Sequence, residues 1–138
     1  MNCKPKKCLV SGCLIGLCTR YDGCSKPDTA CLQALQDFHY IPVCPEQLGG
    51  LPTPRAAADL TGGDGMDVLK ERALVINRDG VDVSREFIAG AHTVLHIARA
   101  QDIKLAMLKA KSPSCGLTPV LGVTAALLLK HDIHIIEF

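Results

Sequence analysis

An open, mainly parallel α/β sheet is the fold this sequence predicts, on three observations. Short Val/Leu/Ile-rich runs alternate with segments of helical periodicity, the signature of βαβ units. The run Leu105-Ala-Met-Leu-Lys109 is apolar at successive positions, as a strand covered on both faces must be. A chain of 138 residues, 48% hydrophobic but only 4% aromatic, can bury an aliphatic core of its own, so residues 1–138 read as one domain. The expected form is a compact three-layer, Rossmann-like α/β sheet with a small β-hairpin.

In chain order, Cys8 to Gly12 reads as a buried strand, and Cys13 to Gly23 as a glycine-punctuated loop. Asp28 to Phe38 has apolar Cys31, Leu32, Leu35 and Phe38 at helical spacing, with Asp28 or Pro27 near its start. Ile41 to Val43 is the second strand, followed by a long loop over Gly49 to Gly65 and one or two helical turns at Asp67 to Arg72. Leu74 to Asn77 and Val81 to Val83 flank Asp79-Gly80, a hairpin signal because Asp-Gly favours positive φ. Ser84 is expected to cap a helix reaching about Ala100, with Phe87, Ile88, Ala91, Leu95 and Ala98 on one face. A strand at Leu105 to Leu108, a helix from Gly122 or Val123 to Lys130 and a strand at Ile133 to Phe138 close the chain.

Composition excludes several functions. A net charge of +1 gives no nucleic-acid stripe, and Lys4 to Lys7 reads as a solvated terminus. No apolar run is long enough to span a bilayer. Leu9 to Leu17 is broken by Ser, Gly and Cys and runs into Arg20 and Asp22, a poor signal peptide, so a cytoplasmic protein is expected. His92 and His96 stand at i, i+4 without the glutamate a zincin needs, and read as a solvated helix face. His131 and His134 read as surface or edge residues.

The eight cysteines carry the functional argument. Seven fall in the first 44 residues, and Cys115 stands far away. In open parallel sheets ligands sit beyond the carboxyl ends of the strands. Cys13 follows the first strand, Cys44 ends the second, and Ser112-Pro-Ser-Cys115 follows the strand at Leu105 to Leu108. Thiols separated by 31 and 71 positions are thereby brought to one sheet edge. Three thiolates suit a soft metal centre with one open position, either a zinc or an iron–sulfur cluster. Their wide spacing is unlike that of compact zinc knuckles. Of the remaining cysteines, Cys3 and Cys8 read as terminal and strand residues and Cys31 as core, while Cys18 and Cys24 sit in the first loop within reach of the site.

Between them lies Val43-Cys-Pro-Glu-Gln-Leu-Gly-Gly-Leu-Pro-Thr-Pro-Arg55, a constrained loop offering a thiol, a carboxylate and a guanidinium. This stretch, together with Val10-Ser-Gly-Cys-Leu-Ile-Gly16, Arg20-Tyr-Asp-Gly23, Gly80-Val-Asp-Val-Ser84 and Lys109-Ala-Lys-Ser-Pro-Ser-Cys-Gly116, resembles the DUF523 family, which includes the thiouracil desulfidases. The resemblance runs from about Cys8 to Phe138. It implies a 4Fe-4S cluster on three cysteines, here Cys13, Cys44 and Cys115, with one open iron, and one readily lost in air. It also implies removal of sulfur from a 2-thiouracil-like base with release of sulfide. Two departures bear on the pocket wall. The segment from Gly116 to the Gly122-Val123 helix is shorter than in the family, and Ala56-Ala-Ala-Asp59 replaces a Pro-rich, Glu-containing run.

The residue types fit the chemistry that the resemblance implies. The thiocarbonyl sulfur meets the open iron, water attacks the ring carbon, and Glu46 acts as general base and then acid. Ser112 and Ser114 hydrogen-bond substrate or relay a proton, and Arg20, Gln47 and Arg55 are candidates to bind substrate; Arg55 is equally able to pair with Glu46. The expected partner is a small thiolated base or nucleoside, with thiolated tRNA disfavoured by the near-neutral charge. Two other classes compete: a cluster-free persulfide protein using Cys44 or Cys115, and a non-catalytic module stapled by a buried metal.

Overall fold

The computed structural model describes residues 4–138, so Cys3 lies outside the described residues. A four-stranded parallel sheet has the order β2-β1-β5-β6, built from β1 (Lys6–Ser11), β2 (Phe38–Val43), β5 (Leu105–Leu108) and β6 (His134–Glu137). The period-2 alternation of β1 divides the interior into two layers. Cys8 and Val10 pack with Cys31 and Leu35 of the α1 segment (helix Thr29–Ala34 and the turn after it). Leu9 belongs to the larger core formed with α4 (Ser84–Ala100) and α5 (Val123–Lys130). The three expected layers are present.

The order in which strands are added reverses between β1 and β5. After β1 the chain passes through α1 to β2 on one side; after β5 it passes through α5 to β6 on the other. A crevice therefore opens beyond the carboxyl ends of β1 and β5.

Asp28 caps α1, its carboxylate accepting the Cys31 N–H at 2.9 Å. The helix stops at Ala34, and after a 3₁₀ turn Phe38 opens β2 instead of ending the helix. Pairing of Phe38 to Tyr40 with Lys6 to Cys8 takes up that backbone. The expected hairpin needs a larger correction. The turn at Asp79-Gly80 forms, with Gly80 at φ 78°. Its arms are tied by an isolated Ile76–Asp82 bridge and by the Asn77 and Val83 N–H groups donating to the Val81 and Val75 carbonyls, without a regular second strand. The regular partner of β4 (Leu74–Asn77) is β3 (Ala58–Thr61), antiparallel, drawn from the stretch expected to be loop. Ser84 begins α4, and Asp82 does the capping, accepting from the Ser84 N–H at 2.9 Å and its hydroxyl at 2.6 Å. The turns expected at Asp67 to Arg72 are α3 (Gly65–Leu69), held by an Asp64/Asp67 capping box.

Two contacts position the site. Pro45–Leu48 forms a short helix, α2, with Pro45 opening it and Cys44 as N-cap. It lies against α4 through Gly49 and Gly90: a Cβ on Gly49 would strike the Glu86 carbonyl, and one on Gly90 the Pro45 carbonyl. At the other wall, the first N–H groups of α5 hold the preceding loop. Val123 donates to the Pro113 carbonyl and Ala125 to that of Ser114, both at 3.0 Å. No helix among the described residues is long and apolar enough to cross a membrane.

Candidate active site

Beyond the carboxyl ends of β1, β2 and β5 lies a cavity of about 350 Å³, and Cys13, Cys44, Cys115, Glu46, Ser112 and Ser114 all line it. Each thiol arrives on its own element. Cys13 sits in a 3₁₀ turn (Gly12–Ile15) directly after β1, its carbonyl accepting the Lys26 N–H at 3.0 Å. Cys44 caps α2. Cys115 ends the loop after β5, its N–H donating to Ser112 Oγ at 3.1 Å.

Cys115 is 4% exposed, and burial pushes its thiol up to about 12, against an opposing hydrogen bond from Ser11. Cys13 is raised by burial and by the Cys44 sulfur, and held back by the charges of Lys109 and Arg20. Burial of this kind disfavours the free thiolate, so neither sulfur has the character of a reactive nucleophile. Among the described residues no three His, Cys, Asp or Glu side chains gather closely enough for a single metal ion. The three sulfurs border a space, not a point.

Glu46 is held at both oxygens. Arg55 Nε donates to Oε1 at 3.0 Å, and Ser114 Oγ donates to Oε2 at 3.0 Å. Ser112 Oγ lies 3.0 Å from Ser114 Oγ and accepts the N–H groups of Ser114 and Cys115. Since Ser114 gives its proton to Glu46, the hydroxyl chain runs in one direction, Ser112 to Ser114 to Glu46. Arg55 uses all five N–H donors within the protein, on Glu46, Cys44 Sγ, the Pro52 and Thr19 carbonyls and Thr53 Oγ1. None is left for a substrate.

Arg20 lines the cavity, 3.9 Å from Asp22 and over the Tyr21 ring. Gln47 does not. It donates to Thr53 Oγ1 at 2.8 Å and borders a second, smaller cavity of about 230 Å³ on the far side of Cys44. Cys18 and Cys24 are exposed and line neither cavity, and His92 and His96 are exposed on α4. Sequence reasoning passed over Lys26, Asp59, Lys109 and Lys111, which also line the main cavity. Lys109 directly follows β5, so the rule that located the cysteines marks it too. Burial and the charge of Lys26 lower its ammonium, while Cys13 opposes them.

Comparison with known proteins identifies the family. A family model described as 2-thiouracil desulfurase matches residues 8–137. The Bacillus subtilis (strain 168) protein YbbK, described as uncharacterized, is 34% identical over 141 residues, covering 94% of this chain and 93% of its own. A solved structure described as the 4Fe-4S-dependent thiouracil desulfidase TudS (DUF523Vcz) superimposes with a TM-score of 0.80 at 38% identity. It covers 96% of this chain and 90% of that one. Matched over nearly its whole length in sequence and in fold, the chain belongs to the 2-thiouracil desulfurase family.

Proposed function

We propose that this protein is a desulfidase that replaces the thiocarbonyl sulfur of a 2-thiouracil-like base by oxygen and releases sulfide. Cys13, Cys44 and Cys115 would hold a 4Fe-4S cluster with one open iron. One observation carries the reading: three separately delivered thiols and a braced carboxylate line one cavity. Family membership and the cofactor of the TudS relative support it. The residues fit the group, since the donors are all soft sulfur and line one space instead of converging on a single-ion point. When bound, such a cluster supplies a Lewis-acidic iron with affinity for sulfur.

The chain's own residues do the rest. Glu46, fixed by Arg55 and Ser114, takes a proton from the water that attacks the ring carbon and returns it as the C–S bond breaks. One water enters, C=S becomes C=O, and the sulfur leaves as hydrogen sulfide or its anion; the sum is a hydrolysis. The Ser112–Ser114 chain returns protons to Glu46 from the cavity side. Arg20 borders the space a substrate enters, and a cavity of about 350 Å³ that must hold cluster and substrate together suits a small thiolated base. Seven free cysteines among the described residues support a reducing, cytoplasmic setting.

The test is anaerobic reconstitution with iron and sulfide, followed by metal and sulfide analysis, a visible spectrum and an assay of sulfide release from 2-thiouracil. About four irons, a broad charge-transfer band and turnover are expected. Zinc, or cyanide-labile sulfur without iron, would overturn the reading in favour of a metal staple or a persulfide protein.

A further inference from the structure

We infer that Arg55 is a positioning residue that couples the metal-binding thiol Cys44 to the acid–base carboxylate Glu46; this rests on the function proposed above. Its side chain is 6% exposed, and its guanidinium lies between the two groups. Nε meets Glu46 Oε1 at 3.0 Å, and Nη2 meets Cys44 Sγ at 3.9 Å. The other contacts hold the fork in place: Nη2 on the Thr19 carbonyl at 2.9 Å, and Nη1 on Thr53 Oγ1 at 2.9 Å and the Pro52 carbonyl at 3.2 Å. The Arg55 N–H also donates to the Tyr21 carbonyl at 2.8 Å, fixing its backbone to the loop that follows Cys13. A planar fork with five donors can serve a sulfur and a carboxylate at once; the point charge of a lysine cannot.

Two consequences follow. An N–H donor and a positive charge on a ligand sulfur draw electron density from a cluster and raise its reduction potential. The same cation holds Glu46 by one oxygen while Ser114 holds the other, so without Arg55 the carboxylate swings on a single hydroxyl. Loss of Arg55 therefore changes the metal centre and the base together, without removing any contact to substrate.

The experiment compares reconstituted wild type with Arg55→Lys, Arg55→Gln and Thr53→Ala. Thr53→Ala removes one outer contact of the guanidinium and leaves those to the Thr19 and Pro52 carbonyls, which still hold the fork, and those to Cys44 and Glu46. Iron content and the thermal midpoint are measured first, then the cluster midpoint potential without substrate, then kcat and KM for sulfide release from 2-thiouracil. Coupling predicts a more negative potential in both Arg55 variants, kcat down at least tenfold, KM within about twofold, and Thr53→Ala at the wild-type potential. Wild-type potential and kcat in a loaded Arg55 variant would overturn the inference, as would the same potential shift in Thr53→Ala. A rise in KM alone would make Arg55 a substrate contact and overturn it too. Failure of both Arg55 variants to load counts for the coupling if their thermal midpoints are unchanged, and against it if those collapse. A wild type that loads no cluster, or loads one and releases no sulfide, overturns the proposed function itself; a loaded, active wild type with indifferent Arg55 variants overturns this inference alone.

Discussion

Two groups of cysteines in this protein differ in what surrounds their sulfurs. Cys8 and Cys31 are 0% exposed, Cys13 and Cys115 are 8% and 4% exposed and Cys44 is half-buried, so burial alone does not separate core thiols from those at the cavity. Surroundings do. Cys8 and Cys31 face each other's layer between β1 and α1 among Val10, Leu14 and Leu35, and among the described residues their sulfurs make no hydrogen bond. Cys44 and Cys115 have polar neighbours at sulfur, from Thr19, Arg55 and Ser114, and Cys13 faces the charges of Lys109 and Arg20. The difference arises from where the chain leaves the sheet. A thiol inside a strand or helix meets the packed layers, whereas one just past a strand end meets the crevice at the switch point.

The sharpest way to break that comparison is to exchange the groups' fates. Cys13→Ala, Cys44→Ala and Cys115→Ala should each abolish cluster loading and sulfide release, to less than about a hundredth of wild type by the effect expected of a lost metal ligand. Cys8→Ala and Cys31→Ala should load normally and lose about 1–2 kcal/mol of stability through the cavity left behind. Iron analysis and thermal melts read both. A core variant that fails to load while its fold holds would end the division.

Within the site, the two serines divide similarly. Ser114→Ala removes the hydroxyl on Glu46 but not the N–H contacts that shape the loop, so loading should persist while kcat falls about tenfold to a hundredfold. Ser112→Ala removes the acceptor of the Ser114 and Cys115 N–H groups, and should loosen Cys115 and lower loading as well. Equal loading in the two variants would show that Ser112 does not hold the loop.

A third variant tests the frame instead of the site. Gly90→Ala places a methyl group on the Pro45 carbonyl, where α2 meets α4, and should cost about 3 kcal/mol, displacing Cys44 and Glu46 together. A denaturation curve of wild-type midpoint would mean that α2 is free to shift.

The sequence makes this edge of the molecule legible because strand ends are legible. The apolar run at Leu105 to Leu108, the Val43 to Cys44 boundary and the Ser11 to Cys13 boundary are enough to place three thiols together. What escaped reading had no pattern of its own. β3 is four residues, Ala-Asp-Leu-Thr, with one large apolar side chain, and only its pairing with β4 makes it a strand. Phe38 satisfies helical spacing equally well from the start of a strand. Gln47 follows Glu46 on α2, and successive helical positions diverge by about 100°, so one faces the main cavity and the other the smaller one. For Arg55 the residue type was readable, but the complete use of its donors is a property of the packed loop.

The smallest expected effect tests the core pair by pH. Burial pushes Cys8 and Cys31 up to about 11 from the ordinary thiol value of 9. For Cys8 the neighbouring Cys31 adds to the rise; for Cys31, Asp28 and then Cys13 do so. In the unfolded chain both thiols ionise near pH 9, whereas in the fold they keep their protons to about pH 11. Their contribution to stability is therefore complete below pH 9 and is lost as pH rises toward 11. Thermal midpoints of the cluster-free protein should fall across that window, and fall less steeply in a Cys8→Ala/Cys31→Ala double variant. The rest of the chain is common to both proteins, so the difference in slope reads the core pair. Parallel slopes would mean that the core thiols ionise in the fold as easily as in the unfolded chain, and would remove the seclusion of Cys8 and Cys31 between β1 and α1.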